Sequence, residues 1–176
     1  MFKRISVAMA AFVAVVSSAR AGVYYVDQAA TGSGDGSSWE NAFTTLPSAI
    51  AAATAEGDEI RVKFGDMTIT ETIVIKNHPG LAIRGGYTGE DDAREGRSNI
   101  QRDNASDLRF RIFAVTASKI VFDGLGINNG RLDDTTGILG LGVCLQSACE
   151  ADFNNCSFTN NHALNGNSGW SHTWTG

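Results

Sequence analysis

Proline, lysine and long hydrophobic runs are all scarce in this sequence of 176 residues. Its 14 lysines and arginines are outnumbered by 19 aspartates and glutamates. Because an acidic chain repels the phosphates of nucleic acids and anionic lipids, nucleic acid is excluded as a partner. The longest apolar run, residues 5–16, spans about 18 Å as a helix, well short of a hydrocarbon core of roughly 30 Å. No transmembrane span is therefore expected.

The first 21 residues have the layout of a secretory signal peptide. Lys3 and Arg4 precede the apolar run, and the Ala-x-Ala pattern of residues 19–21 follows it. We predict cleavage between Ala21 and Gly22. Cleavage would remove three basic residues and change the formal net charge from -5 to -8. The mature chain is expected to be exported.

Cysteine is also scarce, and Cys144, Cys149 and Cys156 are the only three. An oxidising compartment permits disulfides, but an odd count leaves at least one thiol free. A Cys144–Cys149 bridge is one alternative, and a zinc site completed by His162 and His172 is another, although the spacing fits zinc poorly. We predict that Cys156 is a buried apolar residue, because it falls at an apolar position of the repeats described below.

Glycine, by contrast, is abundant, with 20 residues, and 12 asparagines accompany it. Both residue types tolerate positive φ, so the composition predicts many tight turns and argues against a helical bundle. The Gly/Ser-rich loop of residues 30–38 lacks the lysine of a phosphate-binding loop. Asp27 and Asp35 are candidate ligands for a calcium ion at this loop, and a plain flexible turn is the alternative.

Only one segment has the periodicity of a helix. Apolar residues recur at i, i+3, i+4 and i+7 from Leu46, after a capping threonine at position 44 or 45. Gly57 is expected to end this helix. A helix of about ten residues needs a partner surface. We therefore expect residues 22–58 to form a strand, a loop and a helix that covers the open end of a strand-built core.

From residue 59 to residue 176 short alternating strands predominate, and some of them recur in register. Residues 119–129 align with residues 150–160 at an offset of 31, and residues 81–85 form a weaker copy 39 residues before the first. Asn129 and Asn160 coincide and are expected to stack as a side-chain ladder. Repeated strands with Asn- and Gly-rich bends predict a solenoid, with an antiparallel sandwich as the alternative.

Several motifs resemble secreted right-handed parallel β-helix proteins of the pectin-lyase-like superfamily. The motifs lie at residues 24–27, 36–39, 42–46, 57–62 and 85–87. Residues 155–161 are similar to the repeat of polymorphic outer membrane proteins, including its Phe-x-x-Asn element at Phe158 and Asn161. The resemblance implies an all-β, right-handed parallel β-helix with a short N-terminal capping helix. It also implies an extracellular or outer-membrane-associated location.

The superfamily contains both enzymes and binding modules. The resemblance implies lyases that hold calcium with aspartates and use a lysine or arginine base, hydrolases with aspartate clusters, or adhesin-like modules without chemistry. The candidate catalytic residues are Asp123, Arg131, Asp133, Asp134 and Asp152. No hydrolase motif is intact. A secreted or cell-surface module with a binding, adhesin-like or structural role is therefore the leading hypothesis, and a calcium-dependent polysaccharide lyase or its N-terminal fragment is the alternative.

Three further features bear on partners, which we expect to be polysaccharides or cell-surface components. Residues 88–104 form a mixed-charge insertion, predicted as a loop that is either solvated or part of a binding face. Trp170, His172 and Trp174 either stack on sugar rings or cap the last coil. Residues 59–176 allow only about four coils without a visible C-terminal cap. We therefore expect an open edge that self-associates, or a chain truncated from a longer protein.

Overall fold

The computed structural model describes residues 21–90, 92–132 and 140–163. The predicted signal segment up to residue 20 lies outside the described residues. The same holds for these candidate residues: Asp133, Asp134, Trp170, His172 and Trp174. Across the described residues, no helix has the length and apolar composition needed to span a membrane.

The described chain is rich in strands and contains one short helix, α1 (Leu46–Ala52). Its fourteen strands are β1 (Val23–Val26), β2 (Asp58–Lys63), β3 (Gly65–Ile69), β4 (Ile73–Lys76), β5 (Leu81–Tyr87), β6 (Ser98–Arg102), β7 (Phe113–Thr116), β8 (Lys119–Asp123), β9 (Leu125–Asn128), β10 (Arg131–Leu132), β11 (Val143–Gln146), β12 (Glu150–Asn154), β13 (Ser157–Thr159) and β14 (His162–Ala163). The expectation of a mainly β chain is confirmed.

The strands form three larger parallel sheets, which the chain visits in a fixed order. Sheet A has the order β1-β2-β5-β8-β12, sheet B the order β13-β9-β6-β3, and sheet C the order β11-β7-β4. The short strands β10 and β14 pair separately. From β2 onward the chain passes from sheet A to sheet B to sheet C, and each circuit lays its strands beside those of the circuit before.

The strand register follows the offsets read from the sequence. Residues 119–123 pair with residues 150–154, and residues 126–128 pair with residues 157–159, both at the offset of 31. Residues 81–84 pair with residues 120–123 at the offset of 39. Both predicted alignments are confirmed. The alternating apolar positions therefore face the same side in successive circuits.

The core consists of apolar columns, one from each sheet. Ile60, Ile83 and Phe122 form the column of sheet A and are fully buried. Phe113 of sheet C packs against Phe122, with ring centroids 5.1 Å apart.

Cys156 belongs to this core and is 5% exposed, as predicted, and burial raises the pKa of its thiol. All three cysteines are free in the structure, so the Cys144–Cys149 bridge is not formed.

The helix packs on this core as expected but is shorter than predicted. Thr45 caps its N-terminus by accepting a hydrogen bond from the backbone nitrogen of Ser48. The helix ends at Ala52, and Gly57, with a φ of 84°, lies in the turn before β2. The chain leaves the helical path at Ala53, and the Asp58 carboxylate then accepts a hydrogen bond from the backbone nitrogen of Ala55.

Two predictions about polar segments need correction. The insertion at residues 88–104 is not a loop throughout, because its second half is β6, with Ile100 fully buried. Asn129 and Asn160 both have positive φ, of 65° and 54°, but the Asn129 side chain donates to the backbone oxygen of Arg102 rather than to Asn160. Positive φ explains these asparagines better than a side-chain ladder does.

Candidate functional site

One polar row crosses the outer face of sheet A. Strand pairing places Tyr25, Arg61, Arg84, Asp123 and Asn154 opposite one another on five adjacent strands. These residues alternate with the inward-facing apolar column, so their side chains point outward. Five strands at a spacing of about 4.8 Å give this row a length of roughly 19 Å.

Further side chains surround this row and complete a surface that we call the arginine–aromatic face. It comprises Tyr25, Trp39, Glu59, Arg61, Arg84, Tyr87, Arg94 and Asp123. Its members come from β1, β2, β5 and β8, from the loop before α1 and from the segment between β5 and β6. The regular strand register therefore brings together residues that are far apart in sequence.

Asp123 is the most enclosed charge of this face, with a side chain only 8% exposed. Its Oδ2 accepts hydrogen bonds from Arg84 and Arg94, each at 2.9 Å, and its Oδ1 accepts one from Asn155 at 3.3 Å. Burial alone would raise the pKa of this carboxyl, but the hydrogen bonds from Arg94 and Asn155 and the two guanidinium charges lower it below its ordinary value. Asp123 is thus a paired carboxylate, not a free base.

Glu59 has a similar role on β2, two strands from Asp123 in sheet A. Its Oε1 lies 2.7 Å from Nε of Arg61, and its Oε2 lies 3.1 Å from Nε of Arg84. The hydroxyl of Tyr87 donates to Glu59 at 3.3 Å. Burial and the negative charge of Glu59 raise the pKa of Tyr87, so this hydroxyl stays protonated at neutral pH.

Aromatic rings and guanidinium groups interleave on the same face. Trp39 packs edge-on against Tyr25 with centroids 4.8 Å apart and lies 5.9 Å from Tyr87. Arg61 lies over both tyrosine rings, and Arg94 lies over Tyr87 at 5.4 Å. The indole nitrogen of Trp39 is buried and has no hydrogen-bond partner within the described portion of the chain.

The charges of this surface balance one another. The three guanidinium groups of the face, of Arg61, Arg84 and Arg94, are paired with its two carboxylates, Glu59 and Asp123, and with the exposed carboxylate of Asp92 beside it. The face therefore has no excess charge to attract an anionic polymer. Because Glu59 and Asp123 are both held by arginines, neither is free for acid–base chemistry.

Arg131 and Asp152, the other catalytic candidates among the described residues, are not members of this face. Arg131 begins β10, away from sheet A, and its Nε is buried without a hydrogen-bond partner among the described residues. Asp152 is exposed on β12, opposite Val121 and two positions along from the partner of Asp123. Of the candidates within the described residues, Asp123 and Asp152 thus share the outer surface of sheet A.

The calcium candidates have separate protein partners. Asp27 is bound by Lys63, with Nζ 2.6 Å from Oδ2. Asp35 accepts hydrogen bonds from Ser33 and Ser37 of its own loop, and the bonds from Ser37 and Ser33 lower the pKa of its carboxyl. No group of three or more histidine, cysteine, aspartate or glutamate side chains able to hold a metal occurs within residues 21–90, 92–132 and 140–163. Asp27 and Asp35 are thus each engaged by partners within the chain.

A groove of about 510 Å³ lies between α1 and β4 and forms a second candidate surface. Ile50 and Thr54 line one wall, and Val74, Lys76 and His78 line the other. Burial lowers the pKa of His78. An imidazole that stays neutral near pH 7 adds no positive charge to this groove.

The arginines of the face are the functional candidates missing from the sequence prediction. The offset of 39 residues places Arg84 opposite Asp123, so that ion pair could have been read from the repeat alignment. Arg94 gives no such signal, because it precedes β6 in a segment outside the repeats. No family model, curated protein or solved structure matches the chain.

Proposed function

We propose that the three parallel sheets are the faces of a right-handed β-helix solenoid. The cyclic order of sheets A, B and C supports this architecture, because each circuit can bury its apolar side chains only against its neighbours. The hand follows from the strong right-handed preference of connections between parallel strands. In this proposal α1 covers the first circuit, to which its buried side chains contribute.

The proposed function is that of an exported or cell-surface module that binds an extended carbohydrate polymer. The observation that carries it is the polar row of sheet A, which presents one side chain from each of five adjacent strands. A polymer chain can lie along such a row and contact side chains of successive strands. The balanced charges favour a neutral polymer over a polyuronate.

The exposed parts of the face supply suitable groups. Arg84 and Arg94 have side chains 36% and 32% exposed, so their outer N–H groups can donate to sugar hydroxyls. Ala82 and Val121 are paired on adjacent strands beside the row and form a small apolar patch at the floor of the face. This combination of fixed donors and a flat apolar surface is typical of a binding site for sugar rings.

A calcium-dependent polysaccharide lyase is the second candidate function. The unpartnered Nε of Arg131 favours it, because a buried guanidinium donor is suited to a substrate carboxylate. The pairing of Asp123 with two arginines opposes it.

Self-association also stays a proposal. It is supported by Leu145 and Phe153, which are 45% and 39% exposed on the last strands of sheets C and A.

A matched pair of valine substitutions tests the binding surface. Val121→Glu adds bulk and charge to the floor of the arginine–aromatic face, whereas Val74→Glu makes the same change on the exposed face of β4. We expect Val121→Glu to weaken co-sedimentation with neutral polysaccharides about tenfold or more, and Val74→Glu to change it less than about twofold. The reverse pattern would place binding in the groove beside α1 and contradict the proposal.

A further inference from the structure

Asp58 is a carboxylate buried at the start of β2, with only 1% of its surface exposed. Its Oδ1 accepts a hydrogen bond from the backbone nitrogen of Gly22 at 2.7 Å, and its Oδ2 accepts one from the backbone nitrogen of Ala55 at 2.7 Å. The carboxylate thus joins the first strand to the turn after α1. Neither bond supplies a positive charge.

No lysine or arginine of the described segments forms an ion pair with Asp58. His78, which follows β4, interacts electrostatically with Asp58, but burial lowers the pKa of its imidazole. A buried carboxylate without a cation is costly. A cation at the position of the Gly22 nitrogen would remove this cost.

We propose that cleavage between Ala21 and Gly22 creates this cation and locks the N-terminal strand in place. An export peptidase adds water across the peptide bond, so that Ala21 leaves with a carboxylate and the Gly22 nitrogen becomes an amine. The free amine takes a proton at neutral pH, because α-amino groups have pKa values of about 7.7 to 8.0. A neutral hydrogen bond to Asp58 then becomes a charged pair, the stronger class of interaction.

The surroundings of Gly22 suit both cleavage and pairing. Ala21 is exposed, so the bond before Gly22 is accessible to a peptidase. The Gly22 carbonyl accepts a hydrogen bond from the backbone of Glu59 at 2.9 Å, which fixes the nitrogen beside Asp58. A Cβ at position 22 would approach the ring of Tyr24 to 3.2 Å, tighter than an ordinary contact, so glycine suits this position. The half-buried site also leaves the other ammonium protons room for water.

In this proposal, cleavage before Gly22 stabilises the folded chain. Before cleavage, β1 is held by β2 and by an uncharged hydrogen bond to Asp58. After cleavage, the same atom pair carries opposite charges. The exported form is therefore more stable than the precursor. This inference rests on the predicted cleavage site and not on the proposed carbohydrate-binding function.

A double-mutant cycle tests the ion pair. One chain begins at Gly22, and the other keeps residues 17–21 ahead of it with Arg20→Ser, which retains an uncharged amide at the Gly22 nitrogen. Each is prepared with Asp58 and with Asp58→Asn, and thermal midpoints are measured by circular dichroism. We expect Asp58→Asn to lower the midpoint by about 6 °C in the chain that begins at Gly22 and by less than about half of that in the extended chain.

Equal losses in the two chains would overturn the inference. If Asp58→Asn prevents folding, the thermal midpoints of the two chains that keep Asp58 are compared instead. The chain that begins at Gly22 is then expected to have the higher midpoint by at least about 3 °C. Equal midpoints, or a higher midpoint for the extended chain, would overturn the inference equally.

Discussion

Replacement of Phe122 by alanine is expected to lower the free energy of unfolding by about 3–5 kcal/mol. Phe122 is fully buried, and its ring packs against Phe113 at 5.1 Å and stacks on Phe153 at 5.2 Å. Truncation leaves a cavity that two neighbouring circuits share, because the strands on both sides of β8 hold it in place. Urea denaturation followed by circular dichroism measures the change.

Phe64 provides the matched control for this substitution. It is 49% exposed, so Phe64→Ala removes much less buried surface and is expected to cost less than about 1.5 kcal/mol. A domain of ordinary stability retains only about 5–15 kcal/mol, so the Phe122 variant is expected to be close to its folding limit at 37 °C. Equal costs for the two variants would show that Phe122 does not lie in the core column.

Replacement of Asp123 by asparagine is expected to cost about 2–4 kcal/mol, because it leaves Arg84 and Arg94 without their shared carboxylate. This expected loss of unfolding free energy is smaller than that for a fully buried ion pair, since both arginine side chains are about one third exposed. Asp152→Asn makes the same change at an exposed position of the next strand and is expected to cost less than about 0.5 kcal/mol.

The stability difference between the native chain and Asp123→Asn should also depend on pH. The folded-state pKa of Asp123 is depressed, so its contribution is fully present above the unfolded value of about 3.9 and is lost as the pH falls through the folded value. The difference is therefore expected to be constant above about pH 5 and to shrink below about pH 4. A difference that grows on acidification would contradict the ion-pair geometry.

The strand register could be predicted from the sequence because two physical signals coincide there. Alternation with a period of two fixes which side chains face the core, and bend residues fix where each strand ends. Both signals are strong in residues 119–129 and 150–160, and the observed pairing follows them. The buried position of Cys156 follows from the same alignment.

Other strands were not predicted because their sequences lack one of these signals. In β6 only Ile100 is apolar, so Ser98–Arg102 reads as part of a charged loop. Its strand form is imposed by pairing with β3 and β9 on either side. Tertiary contacts therefore decide the conformation of β6. The helix ends at Ala52, ahead of Gly57, because the backbone of Ala53 leaves the helical region.

The candidate site was harder to predict than the fold. Asp123 was identified as a single acid in a bend, but its two guanidinium partners come from β5 and from the segment before β6. Paired in this way, Asp123 fixes the positions of Arg84 and Arg94 on the arginine–aromatic face. The catalytic interpretation of Asp123 therefore loses support, while a role in fixing the arginine–aromatic face gains it.

The proposal of binding without turnover is tested most directly by measuring retention and product formation together. The chain that begins at Gly22 is incubated with a panel of neutral polysaccharides and polyuronates, with and without calcium. The mixtures are examined for bound protein, unsaturated uronate ends and new reducing ends. We expect co-sedimentation with at least one neutral polysaccharide and no new ends under any condition. Calcium-dependent release of unsaturated ends from a polyuronate would contradict the account and establish a lyase.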